Sequence, residues 1–248
     1  MTIKNAVILA GGEGLRLRPL TLGRPKALMI IKGKPIIAYI LDYLISYGFD
    51  DITITTQYIR ESIVEYVRSY ITKNYKENNL NIHFPIEEHP LGTAGSVKNA
   101  FKYRKIISPI LIIQGDTFTN INLNSAIKFH ENQERALATI VLMFVENPSR
   151  YGIVQLDSDF RIISFTEKPL CQDNRLISTG IYIIEPEFLD LIPSNQKVDF
   201  ARDIFQKKCK DYKFYGFIPH SISELNGLKS DTYWYDIGTM EDFKKIND

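Results

Sequence analysis

Residues 5–26 read NAVILAGGEGLRLRPLTLGRPK. The run Ala6-Val7-Ile8-Leu9-Ala10 is apolar throughout, which predicts a strand buried on both faces of a parallel sheet. Gly11, Gly12 and Gly14 follow at once, and Arg16, Arg18, Arg24 and Lys26 lie within sixteen residues of the first glycine. Glycines let backbone N–H groups approach a polyphosphate closely, and clustered cations neutralise its charge. A surface turn with solvated charges accounts less well for that convergence. The stretch therefore predicts an anion-binding loop at the carboxyl end of a first strand.

Two phosphate loops are excluded by spacing. A P-loop requires G-x-x-x-x-G-K-[ST], and no Gly-Lys-Ser or Gly-Lys-Thr follows these glycines. A dinucleotide fingerprint starting at Gly12 and Gly14 needs a third glycine where Leu17 stands. Composition narrows the classes further. A chain of 248 residues, 44% hydrophobic, can bury the core of one α/β domain. A net charge of +1 offers no electrostatic case for nucleic acid or an anionic membrane. The apolar runs are too short to span a bilayer, and the N-terminus lacks a signal-peptide layout. Cys171 and Cys209 form neither a disulfide framework nor a metal spacing, so reduced thiols in a cytoplasmic protein are expected.

Outward from the loop, Ile36, Ile37, Ile40, Leu41, Leu44 and Ile45 have helical spacing, with Gly48 as a stop. Residues 51–56 read as a β-branched strand, about 60–70 as a second helix, and 81–86 as another strand. That alternation is the cadence of a doubly wound parallel sheet, whose ligands bind beyond the carboxyl ends of its strands. Residues 87–95, EEHPLGTAG, enter a helix through small residues, and a helix N-terminus favours an anion nearby. Residues 109–113 form a core strand ending at Gln114-Gly115-Asp116. A carboxylate there is costly unless it caps a turn, is paired or holds a metal, and Mg²⁺ prefers one or two carboxylates with phosphate oxygens. After the apolar run 136–145 the pattern changes. Residues 151–156 and 160–165 flank Asp157-Ser158-Asp159 and predict an antiparallel hairpin. The Asp-x-Asp spacing occurs in metal-dependent glycosyltransferases, but turn chemistry suffices to explain it here. A short helix closes the chain at 240–246, and no role is assigned to the polar connector 219–232.

The glycine-rich string, read as G-G-x-G-x-R-L-x-P-L-T…P-K, resembles the signature of sugar-1-phosphate nucleotidylyltransferases, of the mannose- or heptose-1-phosphate guanylyltransferase-like kind. Five motifs occur in the family's order across the whole chain. The resemblance implies a single α/β, Rossmann-like, doubly wound domain over 1–248. Its sheet would be mainly parallel but mixed, with a small antiparallel region over the sugar site. Residues up to about 145 would bind nucleotide and 146–248 the sugar phosphate. Ala10, Gly11, Gly12, Gly14, Pro90, Gly92 and Thr93 would line the nucleotide, and Glu87 matches the base reader. A carboxylate there accepts guanine's two adjacent donors, which favours GTP, although uracil remains open through an uncharged neighbour. Arg16 and Lys26 would neutralise the triphosphate, and Asp116 and Asp236 would hold Mg²⁺. Gly152, Glu167, Lys168, Thr179 and Gly180 match the sugar-phosphate site, with Glu167 on hydroxyls and Lys168 on the phosphate.

Two departures are visible. Leu15 stands where a small hydroxyl residue is usual, and Thr179 replaces a longer amide, so the sugar stays open among mannose, heptose and glucose 1-phosphates. The implied reaction joins an NTP and a sugar 1-phosphate to give an NDP-sugar and pyrophosphate. Thymidylyl-, uridylyl- or cytidylyl-transfer and a non-catalytic nucleotide-sugar sensor are the alternatives. Relatives commonly self-associate as homo-oligomers, and many continue into a further domain that a chain ending at residue 248 is expected to lack.

Overall fold

In the computed structural model, residues 3–57, 59–169, 174–219 and 232–247 are described. Cys171 and nearly all of the 219–232 connector lie outside them. The anticipated first strand is β1 (Asn5–Leu9), with Val7 and Ile8 wholly buried. It pairs in parallel with β4 (Asp51–Thr55) on one side and β6 (Ile110–Gln114) on the other. Beyond β4 lies β5 (Asn81–His83), shorter than its sequence reading because Pro85 cannot donate to a ladder. Four short elements, β2 (Ile30–Ile31), β3 (Lys34–Pro35), β7 (Thr117–Thr119) and β13 (Trp234–Asp236), form two small antiparallel ribbons.

The parallel block β5-β4-β1-β6 carries helices α1 (Ile36–Ser46), α2 (Arg60–Asn74) and α3 (Gly92–Ala100). Helix α1 turns its isoleucines and leucines onto the sheet and stops at Gly48, whose φ of 84° breaks the helix. The opposite half is antiparallel in character. Strand β11 (Leu176–Ile184), buried along its whole length, runs antiparallel to β6 and continues the sheet. On its far side it meets β8 (Ala138–Phe144), and at its start Ile177 pairs, on the edge that β6 takes further along, with β9 (Gly152–Leu156), which forms the anticipated hairpin with β10 (Ile162–Glu167). The hairpin thus extends the main sheet edgewise. It does not form a layer above it, because β11 offers hydrogen-bonding edges to both neighbours. Strand β12 (Phe214–Phe217) pairs with β8.

Helix α4 (Leu123–Asn132), capped by the Asn122 side chain, covers β8 and β12. A π-helical turn, Phe200–Phe205, runs into α5 (Gln206–Lys208), and α6 (Met240–Asn247) closes the chain. Two apolar clusters result, one on each face of the sheet. The second holds the aromatic stack of Tyr182, Phe188, Phe200, Phe205 and Phe214.

Candidate active site

The loop after β1 folds back on itself. Gly14 is left-handed (φ 63°), its carbonyl accepts from Thr21 Oγ1 at 2.8 Å, and a Cβ there would lie 2.9 Å from Thr21. Only glycine fits this turn, and the turn brings Arg16 and Lys26 to the carboxyl edge of the sheet. The result is a cavity of about 510 Å³ lined by Ala10, Gly11, Gly12, Gly14, Arg16 and Lys26, with Glu87 and Gly92 among its other walls. A Cβ on Gly12 would meet nothing within 4 Å, so the backbone at that point is open to a ligand. Leu15 also borders this cavity and is 57% exposed, leaving an apolar surface where a hydroxyl was expected.

Glu87 stands in the same cavity. Burial raises its pKa above the usual carboxylate value, while the Ser96 hydroxyl, the Leu91 backbone N–H and the charge of His89 pull it back. Pro90 is exposed and lines neither this cavity nor the second, so the nucleotide contact expected there finds no support.

The start of α3 is put to a different use from the one expected. Ala94 N and Gly95 N both donate to Val198 O, at 3.0 and 3.1 Å, and Val198 N donates to Leu91 O at 2.8 Å. A Cβ on Gly92 (φ 71°) would lie 2.6 Å from Val198 O, and one on Gly95 2.7 Å from Gln196 O. The small residues admit this second strand of backbone, so the helix donors at 94 and 95 are already satisfied and not open to an anion. Thr93 follows suit. Its hydroxyl donates to Asp199 Oδ2 at 3.0 Å and accepts from Phe200 N at 2.9 Å.

A second cavity, about 210 Å³, adjoins the first. Gly152, Glu167, Lys168, Thr179 and Gly180 all border it, as the sequence motifs require. Lys168 Nζ lies 3.1 Å from Glu167 Oε1, with Glu167 largely buried and Lys168 reaching out. Thr179 sits in a β-bulge of β11, its hydroxyl donating to Val141 O at 2.8 Å and its carbonyl accepting from Trp234 Nε1 at 3.1 Å. Its hydroxyl is therefore committed to the framework and is not free for the sugar contact expected there. Arg16, Thr93, Gln114, Asp116 and Asp199 border both cavities.

The acidic pair sits at this junction. Strands β7 and β13 pair antiparallel with Thr117 opposite Asp236, and Ile237 N donates to Asp116 O at 3.1 Å. Two carboxylates far apart in sequence thereby become neighbours. Lys26 Nζ forms a hydrogen-bonded ion pair with Asp116 and lies 3.9 Å from Asp236 Oδ1. Burial, followed by the charge of Asp116, pushes the Asp236 carboxyl up to about 7, against the pull of Lys26, Arg150 and Arg16. Two carboxylates held together at this cost fit a divalent cation, and Mg²⁺ uses one or two carboxylates with phosphate and water oxygens.

Three residues escaped the motif reading. Arg150 borders the second cavity, pairs with Asp242 at 2.7 Å and approaches Asp236 Oδ2 at 3.7 Å. Gln114 and Asp199 sit on the shared wall. The position of Gln114 at the end of β6 was the only signal available in sequence. Arg150 and Asp199 look like ordinary surface charges until the chain is folded.

Cavities opening at the carboxyl edge of a parallel sheet, beside a glycine loop, define a nucleotide-binding α/β protein. Within that class the chain belongs to the nucleotidyl transferase family, whose model matches residues 5–248. It is 33% identical over 240 residues to the D-glycero-alpha-D-manno-heptose 1-phosphate guanylyltransferase of Aneurinibacillus thermoaerophilus, covering 97% of this chain and 95% of that one. It is 32% identical over 249 residues to the UTP–glucose-1-phosphate uridylyltransferase of Synechocystis, covering 96% of this chain but only 61% of the relative. A crystal structure of HddC from Yersinia pseudotuberculosis complexed with GMP-PN superposes with a TM-score of 0.76 at 28% identity, covering 98% of both chains. Among the described residues, no helix is long and apolar enough to cross a membrane.

Proposed function

We propose that the chain transfers a nucleotidyl group from an NTP, with GTP favoured, to a manno-configured sugar 1-phosphate. The observation that carries the reading is the junction. A nucleotide-sized cavity and a smaller polar one meet at Asp116 and Arg16, beside Asp236. A phosphate oxygen of the sugar 1-phosphate attacks the α-phosphorus, the bond to the bridging oxygen breaks, and pyrophosphate leaves. The nucleophile is already ionised at neutral pH, so no general base is required. Catalysis reduces to positioning and charge neutralisation.

Each residue then has a task. The open backbone at Gly12 admits the triphosphate, and Arg16 and Lys26 offset its charge. Lys168 holds the attacking phosphate and Glu167 accepts sugar hydroxyls. Mg²⁺ held by Asp116 and Asp236 would supply further neutralisation of the phosphate oxygens. The heptose-type guanylyltransferase relative and the GMP-PN complex of the structural neighbour support GTP and a manno-configured acceptor. So does Glu87, whose carboxylate is an acceptor for guanine's N1 and N2 donors. A competing reading keeps the class with a uracil or thymine base, for which Glu87 would act together with an uncharged neighbour.

Pyrophosphate release measured across a grid of nucleoside triphosphates and sugar 1-phosphates, with and without Mg²⁺, tests the proposal. Release with GTP and mannose or heptose 1-phosphate is expected. Release with UTP or dTTP alone would keep the class and discard the guanine assignment, and no release with any pair would overturn the reading.

A further inference from the structure

Asp199 occupies the seam between the two halves. It caps the π-helical turn, Oδ1 accepting from Ala201 N at 3.1 Å and Arg202 N at 3.3 Å, while its own N–H donates to Asp203 Oδ2 at 2.9 Å. Among the described residues, Oδ2 has a single donor, the Thr93 hydroxyl. The residue before it, Val198, is zipped to the start of α3 through three backbone hydrogen bonds. The carboxylate is therefore held in one orientation from two sides. A carboxylate has about four acceptor positions, and the three donors named leave Oδ2 with capacity for one more.

Its location gives that capacity a use. Asp199 borders both cavities together with Arg16, Gln114 and Asp116, so it stands where the phosphate of one ligand meets that of the other. Glu167, the carboxylate assigned to sugar hydroxyls, borders only the second cavity. The hydroxyl of a sugar 1-phosphate nearest the reacting phosphate is the one on C2, next to the anomeric carbon. That position distinguishes manno- from gluco-configured sugars.

We propose that Asp199 is a specificity-determining residue whose Oδ2 accepts the C2 hydroxyl of the sugar 1-phosphate. This rests on the transfer reaction proposed above. Capping alone does not require a carboxylate, since serine caps a helix about as well as aspartate and has a single side-chain oxygen. The second oxygen is the part of Asp199 that the framework uses least.

The test compares kcat/KM for the sugar 1-phosphate and its 2-deoxy analogue in the wild type, Asp199→Asn and Asp199→Ser, with nucleotide affinity measured alongside. Loss of a hydrogen bond to a charged group corresponds to roughly 10- to 100-fold, so wild type is expected to discriminate against the 2-deoxy analogue by about that factor. Asp199→Ser keeps the cap and is expected to lose most of the discrimination, falling to the 2-deoxy level with the natural substrate, while nucleotide affinity stays within about twofold. Asp199→Asn should fall between the two. Equal use of both sugars by the wild type would overturn the assignment, as would discrimination retained in Asp199→Ser. Absence of turnover in the wild type with every sugar phosphate would instead strike the underlying reaction.

Discussion

The two cavities are built by opposite strategies. The larger one rests on the parallel block, and most of its walls come from three short runs of sequence, at residues 9–16, 87–96 and 114–116. The smaller one draws on seven or more separated places between Arg16 and Asp236, brought together by the antiparallel strands β9 to β11 and the β7–β13 ribbon. A contiguous loop can be recognised as a string, and the glycine–arginine loop was. A wall assembled from distant strands leaves only isolated residues in the sequence, each ordinary alone. The first cavity is framed by glycine backbone, the second by charged side chains, so substitutions in the two should fail in different ways.

The strongest break is expected at their junction. Asp116→Asn removes a charge that both cavities share, and turnover should fall on the order of 10²–10³-fold, the usual loss for one preorganised electrostatic partner. Steady-state pyrophosphate release over a Mg²⁺ titration measures it, and near-normal Mg²⁺-dependent turnover would remove Asp116 from the metal role.

A cleaner separation comes one step away. Lys168→Ala touches only the second cavity, and KM for the sugar 1-phosphate should rise on the order of tenfold or more with nucleotide affinity unchanged. Glu87→Gln touches only the first, and there the NTP preference should shift away from GTP while the sugar KM holds. If either variant moved both constants together, Lys168 and Glu87 would not act each through one cavity alone.

The seam itself is tested by Gly92→Ala. At φ 71°, with a Cβ 2.6 Å from Val198 O, the substitution should cost about 1–3 kcal/mol in urea unfolding. Wild-type stability would mean that the α3–Val198 contact is looser than its geometry implies.

The smallest effect lies far from both cavities. His130 is buried between α4 and the sheet, with Nδ1 2.8 Å from Thr139 Oγ1 and Nε2 3.2 Å from Glu185 Oε1. Burial lowers its pKa below 6.5, although Glu185 and Glu131 pull the other way. The folded state keeps it neutral and the unfolded chain protonates it near 6.5, so its contribution is present above that pH and lost as pH falls below it. Thermal midpoints should decline between pH 7 and 5 in the wild type and decline less in His130→Gln. Parallel declines would show that other groups dominate.

Much of this was readable from residues alone. The apolar run at β1, the helical spacing of α1 and the hairpin around Asp157–Asp159 all appear where their patterns place them. Asp157 accepts backbone N–H groups from Asp159 and Arg161, as turn chemistry expects and not as a metal motif would. The failures share one cause. The helix start at 92–95 was read as open to an anion because small residues permit close approach, but sequence does not say which group approaches; Gly92 and Thr93 still line the first cavity. Val198 and Asp199 approach from over a hundred residues away.

The sequence by itself determined the local objects: the strand, the loop it feeds, the identity of the charged residues and their order along the chain. Periodicity, glycine φ preferences and chain polarity are short-range properties, and they act over a few residues. Tertiary structure decided which carboxylates became neighbours, that Lys26 came to sit between them, and which side chains line both cavities. Those outcomes depend on strand pairing between segments more than a hundred residues apart, where registers such as Thr117 against Asp236 follow from the packing of the whole sheet.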